Sequence, residues 1–506
     1  MRSLPLRGIG FGSLAVCLAL VASACGTSAE PSEGSSRDDM AILVGGEPRS
    51  MNCALGVAFD QVVSTAFVER LVPTDDDFAP TQGGLVASWE QIADTTWRLK
   101  VREGVEFSNG ERWDAEALKF SLETMRETEG IAAAFFTAFD DFRVIDPYTL
   151  DATTTVHTSA VPALLSFGCA FPPEYYKEVG ADGFGRKPIG TGPYVLDEWL
   201  SGEQVRASAN SKYWRGSPKL SSVVWKFVPN QTTRLNLLIS GGGDLALDIP
   251  VDRIADVEDS GLKVHAARTG NLQQIGMNKE EPPLDSLELR QAVAMAIDRD
   301  AIVEHIFRGD GVGAVATDQF FPSVYNAVAD VEADYDPDRA RELVSAAGGA
   351  RLPFHYTVGR YPKDQEVGEA IAGMLTNVGF EVEMLPMDGS EFFAKKLEPG
   401  FSGLWSSGTP AVIPHPDVLV GALLGSSPAR DYCTGADYDN WRSAGLEASD
   451  ERERSAIYSR VAEEVLNEDV CFSSLYLANN IVGMVDGMTF RAGYDTLIDY
   501  TRLGWR

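Results

Sequence analysis

The stretch that most constrains the fold of this 506-residue chain runs from Gly190 to Leu220. It reads GTGPYVLDEW, then ten residues of polar strand character, then NSKYWRGSPKL. Turn-forming residues stand at both ends: Gly190, Gly192 and Pro193 at the entry, Asn210, Gly216 and Pro218 at the exit. This punctuation predicts two strands bounded by turns. The stretch contains no nucleophile or metal-binding motif, so it predicts architecture rather than chemistry.

Four further blocks accompany this stretch along the chain. They are WRLKVREGVEFSNGERWDAEALKFSLETM at 97–125, VPNQTTRLNLLISGGGDLAL at 228–247, MNKEEPPLDSLELRQAVAMAIDRDAIVE at 277–304 and LNEDVCFSSLYLANNIVGM at 466–484. In content and order, the blocks resemble the family 5 extracellular solute-binding proteins, which are the peptide and nickel receptors of ABC importers. Several separated blocks in one order are far more specific than any single motif.

The resemblance implies an α/β fold, a two-lobed periplasmic-binding-protein clamshell of type II with an additional inserted domain, as in the large family 5 architecture. Carried onto this sequence, lobe I comprises 40–78, 184–272 and 478–506, the inserted domain 79–183, and lobe II 273–477. Hinge strands are expected near Gln273 to Asn278 and Tyr476 to Val482. Closure of the lobes around a ligand would be a hinge motion.

Local patterns agree with alternating strands and helices. Trp97, Leu99 and Val101 alternate with basic residues, which predicts a half-buried strand. Asp114 is expected to cap the helix that follows. Asp285 and Glu288 form a cap-like pair before the next block's first helix.

The N-terminus predicts export. Arg2 and Arg7 precede a short apolar run from Ile9 to Ala22, too short to span a bilayer comfortably, so residues 1–24 are interpreted as a secretory signal. Val-Ala-Ser-Ala-Cys-Gly resembles a bacterial lipobox, which would make Cys25 the acylated first residue of a protein on the extracytoplasmic face of the cell membrane or in the periplasmic space. The alternative is an ordinary signal peptide with an incidental cysteine. Residues 25–39 would form a flexible tether reaching on the order of 20 Å.

The charge balance limits the partners. The 43 Lys plus Arg against 74 Asp plus Glu give a formal net charge of -31, which opposes binding to nucleic acid or to anionic lipid surfaces. A solvated acidic surface is the favoured interpretation, with an acidic groove for cationic ligands as the alternative. The protein is expected to be a monomer of two or three domains.

Of the six cysteines, Cys17 leaves with the signal and Cys25 is the predicted anchor. The remaining four are Cys53, Cys169, Cys433 and Cys471, and outside the cytoplasm such an even set favours disulfides. Three pairings are possible. We prefer Cys53 with Cys169 and Cys433 with Cys471, because the second pair would stay within one lobe; reactive or metal-binding thiols are the minor alternative.

Enzyme motifs are lacking in the sequence. The mature chain has no Walker A sequence, no HExxH and no GxSxG, and its five histidines are scattered. We therefore expect no catalytic residue, no cofactor and no bound metal. A hydrolase is kept only as the hypothesis from a second class.

The ligand site is expected partly in the run GLWSSGTPAVIPHPDV, residues 403–418. Peptide-binding relatives commonly place an aspartate there that pairs with the ligand's α-ammonium group, and Gly408 stands about where it would be, with Asp417 too far along. A buried ammonium without an anionic partner is costly, which disfavours recognition of a free peptide N-terminus. Trp405 either packs on a ligand or belongs to the core. His415 is a candidate chelate ligand, as in nickel-binding relatives, or a loop histidine without a ligand.

Six further residues are candidates for the walls of the site: Asn52, Cys53, Gln273, Gln274, Tyr476 and Asn479. Their amides and hydroxyl suit a peptide backbone or a sugar equally, or could satisfy the hinge backbone instead. Asn278, Arg290 and Asp298 belong to the family blocks and are interpreted as structural.

Together these features predict a lipid-anchored solute-binding component of an ABC importer. It would capture a small solute between its lobes and pass it to a membrane permease powered by a separate ATPase. An oligopeptide is the leading ligand; a nickel chelate, haem or an oligosaccharide are alternatives. A sensory or adhesive lipoprotein that retains the fold is the non-transport alternative.

Overall fold

The computed structural model describes residues 37–55, 58–331, 335–396, 401–426, 433–495 and 497–506. The predicted signal peptide, Cys25 and the tether up to residue 36 lie outside the described residues. The strands are β1 (Asp39–Val44), β2 (Val86–Ala93), β3 (Thr96–Val101), β4 (Phe139–Asp146), β5 (Thr149–Thr154), β6 (Tyr194–Leu200), β7 (Gln204–Ala209), β8 (Ser222–Phe227), β9 (Leu245–Ala246), β10 (Lys263–Met277), β11 (Ala314–Ala316), β12 (Ala350–Thr357), β13 (Phe380–Met387), β14 (Leu404–Thr409), β15 (Phe472–Met484), β16 (Met488–Thr489) and β17 (Gly504–Trp505). The helices are α1 (Ala58–Ser64), α2 (Ala115–Glu127), α3 (Ile131–Phe136), α4 (Val161–Phe167), α5 (Pro173–Arg186), α6 (Gln231–Ile239), α7 (Ile254–Asp259), α8 (Leu287–Ala296), α9 (Arg299–Ile306), α10 (Pro337–Ala346), α11 (Asp364–Asn377), α12 (Gly389–Lys396), α13 (Asp417–Leu423), α14 (Ala436–Glu447) and α15 (Glu451–Glu463).

Most strands belong to one large mixed sheet, which confirms the expected α/β class. Its order is β13-β12-β14-β10-β15-β9-β1-β8-β7-β6, and β11 pairs with β15 beside this path. The segment predicted as the inserted domain contains a separate four-stranded antiparallel sheet in the order β2-β3-β5-β4. Strands β16 and β17 form a small pair near the C-terminus. None of the described helices combines the length and the apolar character that a bilayer crossing demands.

Two long antiparallel strands, β10 and β15, join the two halves of the large sheet. The first residues of β10, from Lys263, pair with the end of β15, and β9 and β1 follow on that side. The last residues of β10, up to Met277, lie between β15 and β14. The register between β10 and β15 is broken between Ala267 and Asn271 and again between Gln273 and Gln274. Such irregularities bend a strand locally, and the second one falls within the predicted hinge strand from Gln273 to Asn278.

Residues 190–220 form the hairpin that the turn pattern predicts, with β6 and β7 paired antiparallel. The glycines at its entry are needed for close approach. A Cβ at Gly192 would lie 2.5 Å from the carbonyl oxygen of Ala66, and one at Gly190 only 2.0 Å from that of Phe67. The side chain of Asn210 donates to the Gly192 carbonyl at 2.9 Å and so holds the two ends of the hairpin together.

The exit of this stretch is fixed by a buried carboxylate. Glu69 accepts from the Tyr213 hydroxyl and from the Trp214 indole nitrogen, both at 2.7 Å. Burial raises the pKa of Glu69, although these two hydrogen bonds act in the opposite direction. The aromatic pair within NSKYWRGSPKL is therefore structural.

The start of α2 is as the sequence predicts. Asp114 caps α2 by accepting from the backbone N–H groups of Glu116 and Ala117, and Asp298 caps α9. The start of α8 differs, because Ser286 rather than Asp285 is the capping residue. Both residue types can cap, and the helix begins one residue later than the Asp285–Glu288 pair suggests.

Candidate functional site

Four of the nine predicted ligand-binding residues, Gln273, Gln274, Gly408 and Tyr476, lie together where β10 runs between β14 and β15. Gln273 lies opposite Gly408 on one side and Tyr476 on the other. The next residue, Gln274, lies opposite Ser407 and Ser474. We call these six residues, Gln273, Gln274, Ser407, Gly408, Ser474 and Tyr476, the strand crossover.

One face of the strand crossover carries Gln273, Gly408 and Tyr476. Gln273 is 4% exposed, and its Nε2 has no hydrogen-bond partner. Tyr361, from the loop before α11, donates its hydroxyl to the Gly408 carbonyl at 2.9 Å. The Tyr476 ring packs on Phe307 with a centroid distance of 4.8 Å, and its burial raises its pKa.

The opposite face carries Gln274, Ser407 and Ser474. Gln274 donates through Nε2 to the Thr409 hydroxyl at 3.1 Å, while its Oε1 has no partner. The hydroxyl of Ser474 is fully buried and has no partner either. The strand crossover therefore holds an unpaired donor on one face, and an unpaired acceptor and an unpaired hydroxyl on the other.

The lobe I candidates are engaged elsewhere. Asn52 donates to the Tyr176 hydroxyl at 3.0 Å and to the Ala181 carbonyl, and its own oxygen accepts from Ala54 N–H. Cys53 is buried in a disulfide with Cys169. These contacts favour a structural role for both residues, and the structure does not bring them to the strand crossover.

Trp405 and Asn479 are also built into the scaffold. Trp405 is 1% exposed and packs between Phe401 and Phe472 in an apolar cluster. Asn479 donates to the carbonyls of Gly311 and Val312, and so holds the loop before β11. Of the two interpretations left open for Trp405, the core one is favoured.

His415 lies beyond the end of β14 in a buried polar cluster. Its Nδ1 accepts from the Asp417 backbone N–H at 3.2 Å, and its Nε2 has no partner. Burial lowers the pKa of His415 to about 4, so the imidazole is neutral at neutral pH. The Asp417 carboxylate is held by Arg442 at 2.8 Å. Tyr458 stacks edge-on against the imidazole.

Cysteines 53, 169, 433 and 471 form the two pairs that we preferred, Cys53 with Cys169 and Cys433 with Cys471. Asp469 lies close to the second pair, and the three side chains are near enough to suggest a metal site. The sulfur atoms are joined to each other, however, and Asp469 accepts from Lys279 and Tyr438. This group is therefore interpreted as a structural cross-link.

Two open surface cavities formed by described residues can be compared with the strand crossover, and neither is lined by any of its six residues. One, of about 540 Å³, is lined by Glu111, Phe120 and Lys177 among others. The second, of about 460 Å³, is lined by Lys219, Arg491 and Arg502 among others.

Tyr361 and Ser474 are the residues of this region that sequence reasoning missed. Tyr361 precedes α11 with no motif to mark it and meets Gly408 only because β12 and β14 are neighbours in the sheet. Ser474 falls inside the block at 466–484, where the serines break an otherwise apolar run. That break is the only signal in the sequence.

Solved structures with the same architecture are available for comparison. The oligopeptide-binding protein AppA of Bacillus subtilis, in complex with a nonapeptide, matches with a TM-score of 0.77 and 18% identity, over 93% of this chain and 99% of that one. NikZ of Campylobacter jejuni, in complex with Ni(L-His), matches with a TM-score of 0.79 and 18% identity, over 92% and 99%. The fold is thus that of the two-lobed periplasmic binding proteins.

The sequence comparisons identify the family. The model of the bacterial extracellular solute-binding proteins, family 5 Middle, matches residues 81–431. The glutathione-binding protein GsiB of Salmonella paratyphi A is 26% identical over 430 residues, which cover 81% of this chain and 83% of the relative. The chain belongs to the bacterial extracellular solute-binding proteins of family 5. Members of this family are receptors of ABC importers and carry out no chemistry on their solutes.

Proposed function

We propose that this receptor is anchored by a lipid on Cys25, captures a peptide of a few residues between its two lobes, and delivers it to an ABC permease. The captured peptide would lie against the strand crossover, at the junction of the predicted lobes. The protein would act as a monomer and would leave the peptide unaltered.

The observation that carries the proposal is the set of unpaired buried atoms at the strand crossover. Gln273 Nε2, Gln274 Oε1 and the Ser474 hydroxyl have no partner among the residues that the structure describes. Leaving a buried polar group unpaired costs about 1–3 kcal/mol, and a ligand that supplies the partner recovers this cost. A peptide backbone offers both N–H and C=O groups and can therefore satisfy a donor on one face or acceptors on the other.

The relatives support a peptide as the solute class. GsiB is a glutathione-binding protein, and AppA was solved with a nonapeptide. Glutathione is itself a small peptide, which makes it a natural first ligand to test. The finer assignment, to a particular peptide, is left to the binding experiment.

A nickel chelate is the second candidate, because His415 has a buried Nε2 without a partner. The neutral imidazole is the form that binds a metal ion, and Nε2 could bind one only in the tautomer that gives up the hydrogen bond from the Asp417 N–H to Nδ1. NikZ, which has the same fold, was solved with Ni(L-His). A single imidazole gives no tight site by itself, so the chelator would have to supply the other ligands.

The test uses the full-length protein purified in detergent. Native mass spectrometry first identifies any solute that copurifies, and calorimetry then measures binding of glutathione, trialanine, a nickel–histidine chelate and maltotriose. We expect a peptide to bind and to be recovered intact after long incubation. Binding of the chelate alone would replace the peptide assignment, and binding of none of the four would refute it.

The matched variant for this test is Ser474→Ala. It removes a fully buried hydroxyl that has no partner within the protein. Because no internal hydrogen bond is lost, we expect the unfolding midpoint to stay close to that of the wild type. Peptide affinity should fall if the ligand lies on that face of the strand crossover.

A further inference from the structure

The carboxamide of Gln273 is buried at the strand crossover, and its surroundings indicate which ligand group it can bind. Its Nε2 carries two hydrogens in a residue that is 4% exposed, and none of the described residues supplies an acceptor for it. A hydrogen-bond donor held away from water needs an acceptor to offset the loss of hydration. The protein keeps this donor at the point where the two halves of the sheet meet.

The carboxamide of Gln273 packs against Gly408, where there is no room for a larger residue. A Cβ at residue 408 would lie 2.2 Å from Gln273 Nε2 and 2.8 Å from the ring of Tyr361. Any larger residue at 408 would therefore displace Gln273. The two positions pack as a pair in which only Gln273 supplies a functional group.

The Gly408 carbonyl is hydrogen-bonded to a tyrosine hydroxyl, and a guanidinium and a carboxylate lie in the same loop as that tyrosine. The Tyr361 hydroxyl donates to the Gly408 carbonyl and lies 3.2 Å from the Nε of Arg360. Asp364, which follows in the same loop, accepts from the backbone N–H groups of residues 359, 360 and 361. Its carboxylate is thus occupied by the turn that positions Tyr361.

We propose that Gln273 is a specificity-determining residue of the ligand site. Its Nε2 donates to an oxygen of the bound peptide, a carbonyl or a carboxylate, and the group bound beside Gly408 is not a free α-ammonium group. An ammonium group would meet another donor there and would stay unpaired. This inference rests on the proposed function, because it assumes that a peptide occupies the strand crossover.

The experiment compares trialanine with N-acetyl-trialanine, in which the ammonium group becomes an amide with a carbonyl acceptor. Calorimetry on the full-length protein gives the ratio of the two dissociation constants. The wild type should bind the acetylated peptide at least as tightly as the free one. Gln273→Glu replaces the donor by a carboxylate of the same length. It should change the ratio of the two dissociation constants by about tenfold or more in favour of free trialanine.

Two further variants test whether the change in the ratio of dissociation constants is specific to position 273 and to the introduced charge. Gln365→Glu makes the same chemical change at an exposed position on α11, and it should leave the ratio unchanged. Gln273→Met keeps the side-chain length without donor or charge, and it covers the case in which Gln273→Glu fails to fold. The methionine variant should lose affinity for the acetylated peptide without gaining any for the free one.

The outcomes separate this inference from the proposed function. If the wild type binds neither peptide, the peptide assignment fails and the role of Gln273 fails with it. If the wild type binds peptide but prefers the free amine by tenfold, or if the folded Gln273 variants leave the ratio unchanged, only the role of Gln273 is overturned.

Discussion

The buried imidazole of His415 predicts a measurable loss of stability in mild acid. Its pKa is lowered by burial to about 4 in the folded protein, against the ordinary value of 6.5. Asp417 opposes this shift and Arg454 adds to it. Between pH 6.5 and about 4, His415 is protonated in the unfolded chain but stays neutral in the folded chain. The contribution to stability is therefore complete above pH 6.5 and is lost as the pH falls towards 4.

The size of this effect follows from the shift. At about 1.4 kcal/mol for each pKa unit, the loss from His415 between pH 7.5 and pH 4.5 is about 2.5 kcal/mol. The perturbation is His415→Asn, because the asparagine oxygen can still accept from the Asp417 N–H but cannot titrate in this range. Asparagine should therefore remove the pH dependence while keeping the hydrogen bond.

The assay is urea unfolding followed by tryptophan fluorescence at the two pH values. The wild type should lose about 2.5 kcal/mol more than His415→Asn between pH 7.5 and pH 4.5. His305→Asn, at an exposed position on α9, is the control and should lose as much as the wild type. Equal losses in the wild type and His415→Asn would refute the assignment of a buried, neutral imidazole.

Three further predictions concern the anchor and the scaffold. Cys25→Ser should abolish the lipid-dependent mass increase and release the protein from the membrane fraction; an unchanged mass and location would contradict the predicted anchor. Gly192→Ala should destabilise the fold by about 1–3 kcal/mol because its Cβ would approach the Ala66 carbonyl to 2.5 Å, and an unchanged urea midpoint would contradict that close contact. Asp114→Ala should cost about 1 kcal/mol through the lost cap of α2, with Asp114→Asn as the control that keeps the cap.

The sequence was most informative where structure depends on neighbouring residues. The turn formers around Gly190–Leu220 predicted the hairpin of β6 and β7, and the Asp114 cap was found, because both depend on contacts within a few residues. The start of α8 was placed one residue early, since Asp285 and Ser286 are both competent caps. Only the packing of the helix decides between two such neighbours.

The candidate ligand site is harder to predict from the sequence, because its geometry depends on strands that are far apart in sequence. The sequence indicates Gln273, Gly408 and Tyr476 as separate candidates for the ligand site. Only the order of the strands shows that they lie in one row. Tyr361 could not be selected, because it meets Gly408 across 47 residues through the sheet alone. Trp405 remained ambiguous in the sequence, since a tryptophan suits a core or a ligand wall equally well.

The bridge between Cys53 and Cys169, which are 116 positions apart in sequence, closes a covalent ring that contains most of the segment predicted as the inserted domain. A protease that cuts once inside this ring opens it but releases no fragment while the bridge is oxidised. The two cysteines also stay together when the sheet within the ring melts, which limits the arrangements that the unfolded ring can adopt. Release of a fragment by cleavage within the ring therefore requires either reduction and one cut or two separate cuts.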